Sequence, residues 1–154
     1  MKARIYIDTS VLGGCEDKEF LEYSRRLMEC FIRGDFVLVV SSLTVQELDA
    51  APEEVRAHLK KVPEEHIEAL QLNEEASELA EAYISEGVVS GKFRADAQHI
   101  AIASVARVDV LVSWNFKHIV NLYRIQGYNS VNLRKGYPLV EIRAPREVLP
   151  DEES

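Results

Sequence analysis

Three short apolar runs constrain this chain most: Ala-Arg-Ile-Tyr-Ile at 3–7, Phe-Val-Leu-Val-Val at 36–40 and Val-Asp-Val-Leu-Val-Ser-Trp at 108–114. The second contains no polar residue, which is how a strand buried on both faces of a parallel sheet reads. Parallel neighbours cannot be joined by a tight turn and need a crossover, normally a helix. The segments between the runs supply such helices. Residues 18–33 carry Phe20, Leu21, Leu27, Met28 and Phe31 on one stripe and stop at Gly34. Ser-Ser-Leu-Thr-Val-Gln-Glu-Leu at 41–48 starts a short helix, and Pro52 opens another that runs to about residue 61. Residues 66–72 alternate like a strand, Asn73 caps a helix that reaches Ile84, and Gly87 stops it. An alanine-rich helix over 93–106 leads into the third run, and 117–125 and 139–143 read as a further helix and a final strand. This order predicts an α/β fold, a three-layer sandwich with a mostly parallel central sheet. One domain over 1–148 is expected, with 149–154 as a frayed tail.

A chain of 154 residues can bury such a core without disulfides or structural metal. Cys15 and Cys30 are its only cysteines and have no zinc-ligand spacing around them, so free thiols are expected. No segment has the length and apolarity of a membrane span, and the apolar stretch before Asp8 is far shorter than a secretory leader. A cytoplasmic protein is the expectation.

In open parallel sheets ligands bind beyond the carboxyl ends of the strands, where strand order reverses. Four polar residues fall at such places. Asp8 ends the first strand, Glu47 lies in the turns after the second, Asp96 opens the alanine-rich helix and Asn115 follows the third run. Each has a purely structural alternative. Asp8 and Asn115 suit turns, Thr44-x-x-Glu47 matches a capping box, and Asp96 complements a helix dipole. Their joint placement argues for more, because gathered carboxylates repel one another and call for a cation. Oxygen ligands without thiolate or imidazole suit Mg²⁺ or Mn²⁺, ions that polarise phosphoryl oxygens and activate water.

The net charge of −8 argues against a protein that coats nucleic acid non-specifically. Acidic residues concentrate over 47–86, whereas 117–146 carries Lys117, Arg124, Arg134, Lys135, Arg143 and Arg146 against Glu141 alone. Lys117, His118, Arg134 and Lys135 are therefore candidates to meet a phosphate backbone, and Trp114 and Phe116 to stack on bases. A structural role in the core is the competing reading for both aromatics. His99, three residues from Asp96 among Ile100, Ala101 and Ile102, reads as a partly buried structural histidine.

The set Tyr-Ile-Asp-Thr-Ser-Val-Leu-Gly-Gly at 6–14, Ser-Ser-Leu-Thr-Val-Gln-Glu-Leu at 41–48 and Ala-Asp-Ala-Gln-His-Ile-Ala at 95–101, with Ser-Trp-Asn-Phe-Lys-His-Ile at 113–119, resembles PIN domains. These are metal-dependent ribonucleases that include the VapC-type toxins of toxin–antitoxin pairs. The resemblance implies that Asp8, Glu47 and Asp96 are metal-site acids and that Ser10 supports a metal-bound water. It also implies Mg²⁺- or Mn²⁺-dependent cleavage of RNA to a 5′-phosphate and a 3′-hydroxyl, an antitoxin partner and a homodimer. The chain departs from the pattern at Asn115, where the family usually has an aspartate. That departure opens an alternative, a catalytically weak or inactive PIN scaffold that binds RNA or a protein.

Overall fold

The structure, a computed structural model, describes residues 1–150. Strands β1 (Arg4–Ile7), β2 (Val37–Ser41), β3 (Ile67–Leu70), β4 (Val110–Val112) and β5 (Ile142–Arg143) form one sheet in the order β3-β2-β1-β4-β5. All pairings are parallel, so the expected mostly parallel sheet is wholly so. The helices are α1 (Thr9–Gly14), α2 (Leu21–Arg33), α3 (Ser42–Leu48), α4 (Glu53–Lys60), α5 (Glu74–Ser85), α6 (Arg94–Val105), α7 (Leu122–Lys135) and α8 (Pro145–Val148).

Alternation along each strand divides the core in two. Ile5, Leu38 and Ile67 lie in register and, with Ile7 and Val112, pack under Val11 and Leu12 of α1, Leu27 and Phe31 of α2 and Val55 of α4. Tyr6, Val39 and Leu111 face the other way, against Leu79 and Tyr83 of α5, Ile100 of α6 and Tyr128 and Val131 of α7. The result is the expected α/β/α sandwich. Each of these large side chains contributes about 1.5–3 kcal/mol by leaving water. α2 ends because Gly34 turns left-handed, φ 81°, which lets the Gly34 and Asp35 N–H groups close on Phe31 and Cys30. Asn73 caps α5 as expected, its Oδ1 accepting the Ala76 N–H at 2.8 Å.

Several boundaries differ from expectation for local reasons. Residues 9–14, for which no element was expected, form a helix with Asp8 at its N-cap. The helix expected from residue 18 begins at Leu21, because Asp17 gathers the N–H groups of Glu19, Phe20 and Leu21 into a turn. The helix expected over 117–125 is α7 instead. Asn115 draws the N–H groups of Lys117 and His118 to its Oδ1 and those of Ile119 and Val120 to its carbonyl oxygen, forming a compact turn. Asn121 then caps a new helix by accepting the Arg124 N–H at 3.2 Å. β5 covers only two residues of the expected 139–143. Of the segment read as a frayed tail, Leu149 packs on the α2 side of the core and the Pro150 carbonyl accepts from Arg26, while 151–154 lie outside the described residues.

The chain leaves β1 for β2 and β3 on one side and returns to β4 on the other. Order therefore reverses between β1 and β4, and the carboxyl ends of those two strands frame the crevice.

Candidate active site

Asp8 ends β1 with only 5% of its surface exposed. Its Oδ1 accepts the Ser10 hydroxyl at 2.6 Å and its Oδ2 the Ser113 hydroxyl at 2.7 Å. The same two hydroxyls accept the backbone N–H groups of Trp114 and Asn115, so they bind the end of β1 to the end of β4. Burial pushes the Asp8 carboxyl up, against the opposing pull of His99 and both hydroxyls, and Glu47 raises it further.

Glu47 does not close the capping box that its sequence suggests. Ser41 caps α3 through the Thr44 N–H at 3.3 Å, and the Glu47 carboxylate turns to Thr9 and His99. The Thr9 hydroxyl donates to Oε1 at 2.6 Å, and His99 Nε2 meets the same oxygen at 2.8 Å. Burial raises this carboxyl too, but the His99 hydrogen bond and charge, with Thr9, outweigh it and leave Glu47 below its ordinary range. On its other nitrogen His99 meets the Tyr6 hydroxyl at 2.6 Å, which in turn meets Ser41 at 2.7 Å. A buried chain thus runs from Ser41 through Tyr6 and His99 to Glu47.

Asp96 stands in the first turn of α6, where the unpaired N–H groups favour an acid. His118 Nδ1 lies 3.3 Å from its Oδ2. Burial raises the Asp96 carboxyl, His118 and His99 oppose that, Asp8 adds to it, and a hydrogen bond from Asn115 lowers it. The Asn115 side-chain oxygen thus serves the 115–120 turn, while the amide as a whole favours the ionised Asp96 carboxylate. The alternative amide orientation would set NH₂ against two N–H donors.

Asp8, Glu47, Asp96 and Asn115 therefore share one end of the sheet, and the carboxylates act on one another: Glu47 raises Asp8, and Asp8 raises Asp96. The acids nevertheless stay apart. Among the described residues no three His, Cys, Asp or Glu side chains lie close enough to enclose an ion between them. Ser10 touches Asp8 directly. Lys117 is exposed beside the site and His118 is buried against Asp96.

Arg134 and Lys135 fall elsewhere. They end α7, about 20 Å along the helix from its start beside the 115–120 turn. Arg134 pairs with Glu86, and Lys135 lines a hollow with Glu75, Glu78 and Tyr137. Much of the basic 117–146 segment is likewise committed: Arg124 donates to the Val88 carbonyl, and Arg143 pairs with Glu141.

Sequence reasoning missed Thr9, Ser113, Tyr6 and Phe93 as neighbours of the site. Phe93 stacks on His118 with ring centroids 3.7 Å apart, and Lys92 lies over Phe93. It also undervalued His99, which is buried as expected but hydrogen-bonds Glu47. The available signal was the three-residue step from Asp96, which puts both on nearly one helix face.

Among known structures the fold is similar to VapC20 of Mycobacterium tuberculosis, a toxin that cleaves the sarcin–ricin loop. The identity is 12% and the TM-score 0.58, with 74% of this chain and 92% of that one covered. It is also similar to VapBC2 of Rickettsia felis bound to a DNA fragment from its promoter, at 14% identity and TM-score 0.58, covering 92% and 98%. DNA-bound VapBC of Salmonella typhimurium aligns at 17% identity and TM-score 0.57, covering 93% and 98%. At these identities the likeness is one of fold. A search of curated protein sequences found no match. Residues 4–117, which span β1 to the turn after β4 and include all four site positions, match the PIN domain family model. The chain belongs to the PIN domain family.

Proposed function

We propose that this chain is a Mg²⁺- or Mn²⁺-dependent endoribonuclease that hydrolyses RNA phosphodiester bonds, and that it serves as the toxin of a type II toxin–antitoxin pair. The observation that carries this reading is that three carboxylates, Asp8 after β1, Glu47 of α3 and Asp96 of α6, share the sheet end where strand order reverses, with Glu47 raising Asp8 and Asp8 raising Asp96. The donor set fits a hard cation. It offers carboxylate oxygens without thiolate, and burial raises Asp8 and Asp96, a cost that a bound cation offsets. Asp8 and Asp96 would hold the ion, with Glu47 contributing through water, since such ions keep part of their hydration shell. When bound, the metal would polarise a phosphoryl oxygen and supply activated water. Ser10 and Ser113 fix the Asp8 carboxylate, Thr9 and His99 fix that of Glu47, and Asn115 and His118 fix that of Asp96.

The toxin assignment draws on the fold shared with VapC20, a toxin, and with two VapBC assemblies bound to DNA. It includes an antitoxin partner, a homodimer and a cytoplasmic location. No helix among the described residues is long and apolar enough to cross a membrane. One observation favours a second reading, an inactive PIN scaffold: Asn115 brings no charge, and its oxygen is occupied by the turn.

A cleavage assay separates the two. Single-stranded RNA should be cut in Mn²⁺ or Mg²⁺, spared in EDTA, and spared by Asp8→Asn and Asp96→Asn. A broad RNA panel left intact in both metals would select the scaffold.

A further inference from the structure

Two aromatic residues flank Asn115, and the structure gives them different tasks. Trp114 is half-buried and pinned on every side. Its Nε1–H donates to Ser24 at 2.7 Å, its backbone N–H donates to Ser10, and its ring stacks on Phe20 with centroids 4.2 Å apart and planes at 21°. Phe116 is 49% exposed. Its ring rests against that pair, with its centroid 6.1 Å from Trp114 and 6.4 Å from Phe20. An outward phenyl ring is thus backed by a fixed aromatic pair and carried on the 115–120 turn, one residue from the Asn115 amide that lowers the Asp96 carboxyl. Lys117, exposed, follows it.

A single exposed apolar side chain is ordinary on a protein surface. This one differs in its support and its place, because a rigid ring at the mouth of a phosphodiester-cleaving site meets whatever lies next to the scissile phosphate. We infer that Phe116, backed by Trp114 and Phe20 and flanked by Lys117, is a nucleobase-stacking subsite for an unpaired base of the RNA. The inference rests on the ribonuclease reading above for its substrate. Every base has a π face, so stacking tolerates sequence. A base within a duplex offers only its edges and cannot use the ring. Lys117 complements the phosphate beside the stacked base.

Binding to the full-length protein in EDTA tests the subsite without cleavage. The probes are an end-labelled oligoadenylate and an abasic ribose-phosphate oligomer of equal length. Label anisotropy gives the affinity. Trp114, the only tryptophan in the chain, reports through its emission when the Phe116 face is covered. Phe116→Ala and Phe116→Leu should each weaken oligoadenylate binding about tenfold, within the range of one stacked base, and Phe116→Tyr should stay within about twofold of wild type. The abasic oligomer should bind all four proteins alike. Wild-type affinity for oligoadenylate in Phe116→Ala would overturn the subsite. So would an equal loss for the abasic oligomer, or a wild-type dimer that Phe116→Ala dissolves while RNA binding stays intact. The nuclease reading fails separately: stacking at Phe116 with no cleavage in either metal would retire the enzyme and leave the subsite, whereas unaltered KM and cleavage in Phe116→Ala would do the reverse.

Discussion

Asn115 shows how one side chain can settle several contacts at once. Its oxygen holds the turn that delivers His118, and its amide lowers the Asp96 carboxyl. An aspartate here would still accept the Lys117 and His118 N–H groups, so Asn115→Asp should keep the turn. It would replace an amide that favours the ionised Asp96 with a second carboxylate that opposes it. In EDTA the variant should be less stable than wild type by about 1 kcal/mol or more. It should then gain more from Mg²⁺ than wild type does, because the ion relieves the added repulsion. Calorimetry with and without metal checks both signs, and an unchanged melting temperature in EDTA would separate Asn115 from Asp96. The sequence exposed both halves of this residue's behaviour, as turn former and as site member, but not that they coexist. The effect of the amide on Asp96 depends on where the α6 start falls in space, which a linear pattern does not contain.

Among the elements, α1 is the tightest fit. A β carbon on Gly14 would come 2.5 Å from Ser24 Oγ and 2.7 Å from Trp114 Nε1, whereas one on Gly13 meets nothing within 4 Å. Gly14→Ala must open the Trp114–Ser24 hydrogen bond and should cost about 1–3 kcal/mol, with a red shift of the tryptophan emission. Gly13→Ala should be stabilising by about 0.5 kcal/mol through helix propensity. Urea melts followed by fluorescence compare the two. Across the sheet, Arg4 of β1 bridges over β2 to Glu68 of β3, and the same guanidinium donates to the Ala106 and Arg107 carbonyls beyond α6. The Arg4 hydrogen bond holds the Glu68 carboxyl below its ordinary range, against the smaller effect of burial. The pair therefore stabilises the fold at neutral pH, and that stability is lost as pH falls through the lowered value. Both partners are about one-third exposed, so Glu68→Gln should cost only about 0.5 kcal/mol at pH 7, a difference that fades in acid. The strands β2 and β4 were legible because burial on both faces leaves an unbroken apolar run, and β1 because Ile5, Tyr6 and Ile7 form a short one after Arg4. α7 was placed too early, over 117–125, and its true span holds the weak helix formers Gly127, Asn129, Ser130 and Asn132. In the fold Asn132 is buried and bonded to Tyr83 and Ser104, and Gly127 gives Val88 its space.

For the whole molecule, the acid cluster predicts a metal-dependent melting temperature. An ion that binds only the folded chain adds about 2.7 kcal/mol at a hundredfold excess over its Kd. Mn²⁺ or Mg²⁺ should raise the transition of wild type and leave Asp8→Asn and Asp96→Asn nearly unmoved, and an equal response in all three would remove the site. Reducing agent should have no such effect. Both cysteines are free and buried, and burial pushes the Cys15 thiol up to about 11, which keeps it from reacting. The strand order has a consequence of a different kind. β1 is the centre of the sheet and precedes the other four strands along the chain, yet one of its two partners is β4, with Tyr6 beside Leu111. The Ser113–Asp8 bond spans 105 residues of sequence. A chain built of such distant pairings has high contact order and is expected to fold in milliseconds to seconds rather than microseconds. During translation β1 keeps an open edge until β4 has emerged, and Asp8 meets Ser113 only when most of the chain exists. The acid cluster is therefore completed only after Ser113 has been made, 105 residues behind the aspartate that it holds.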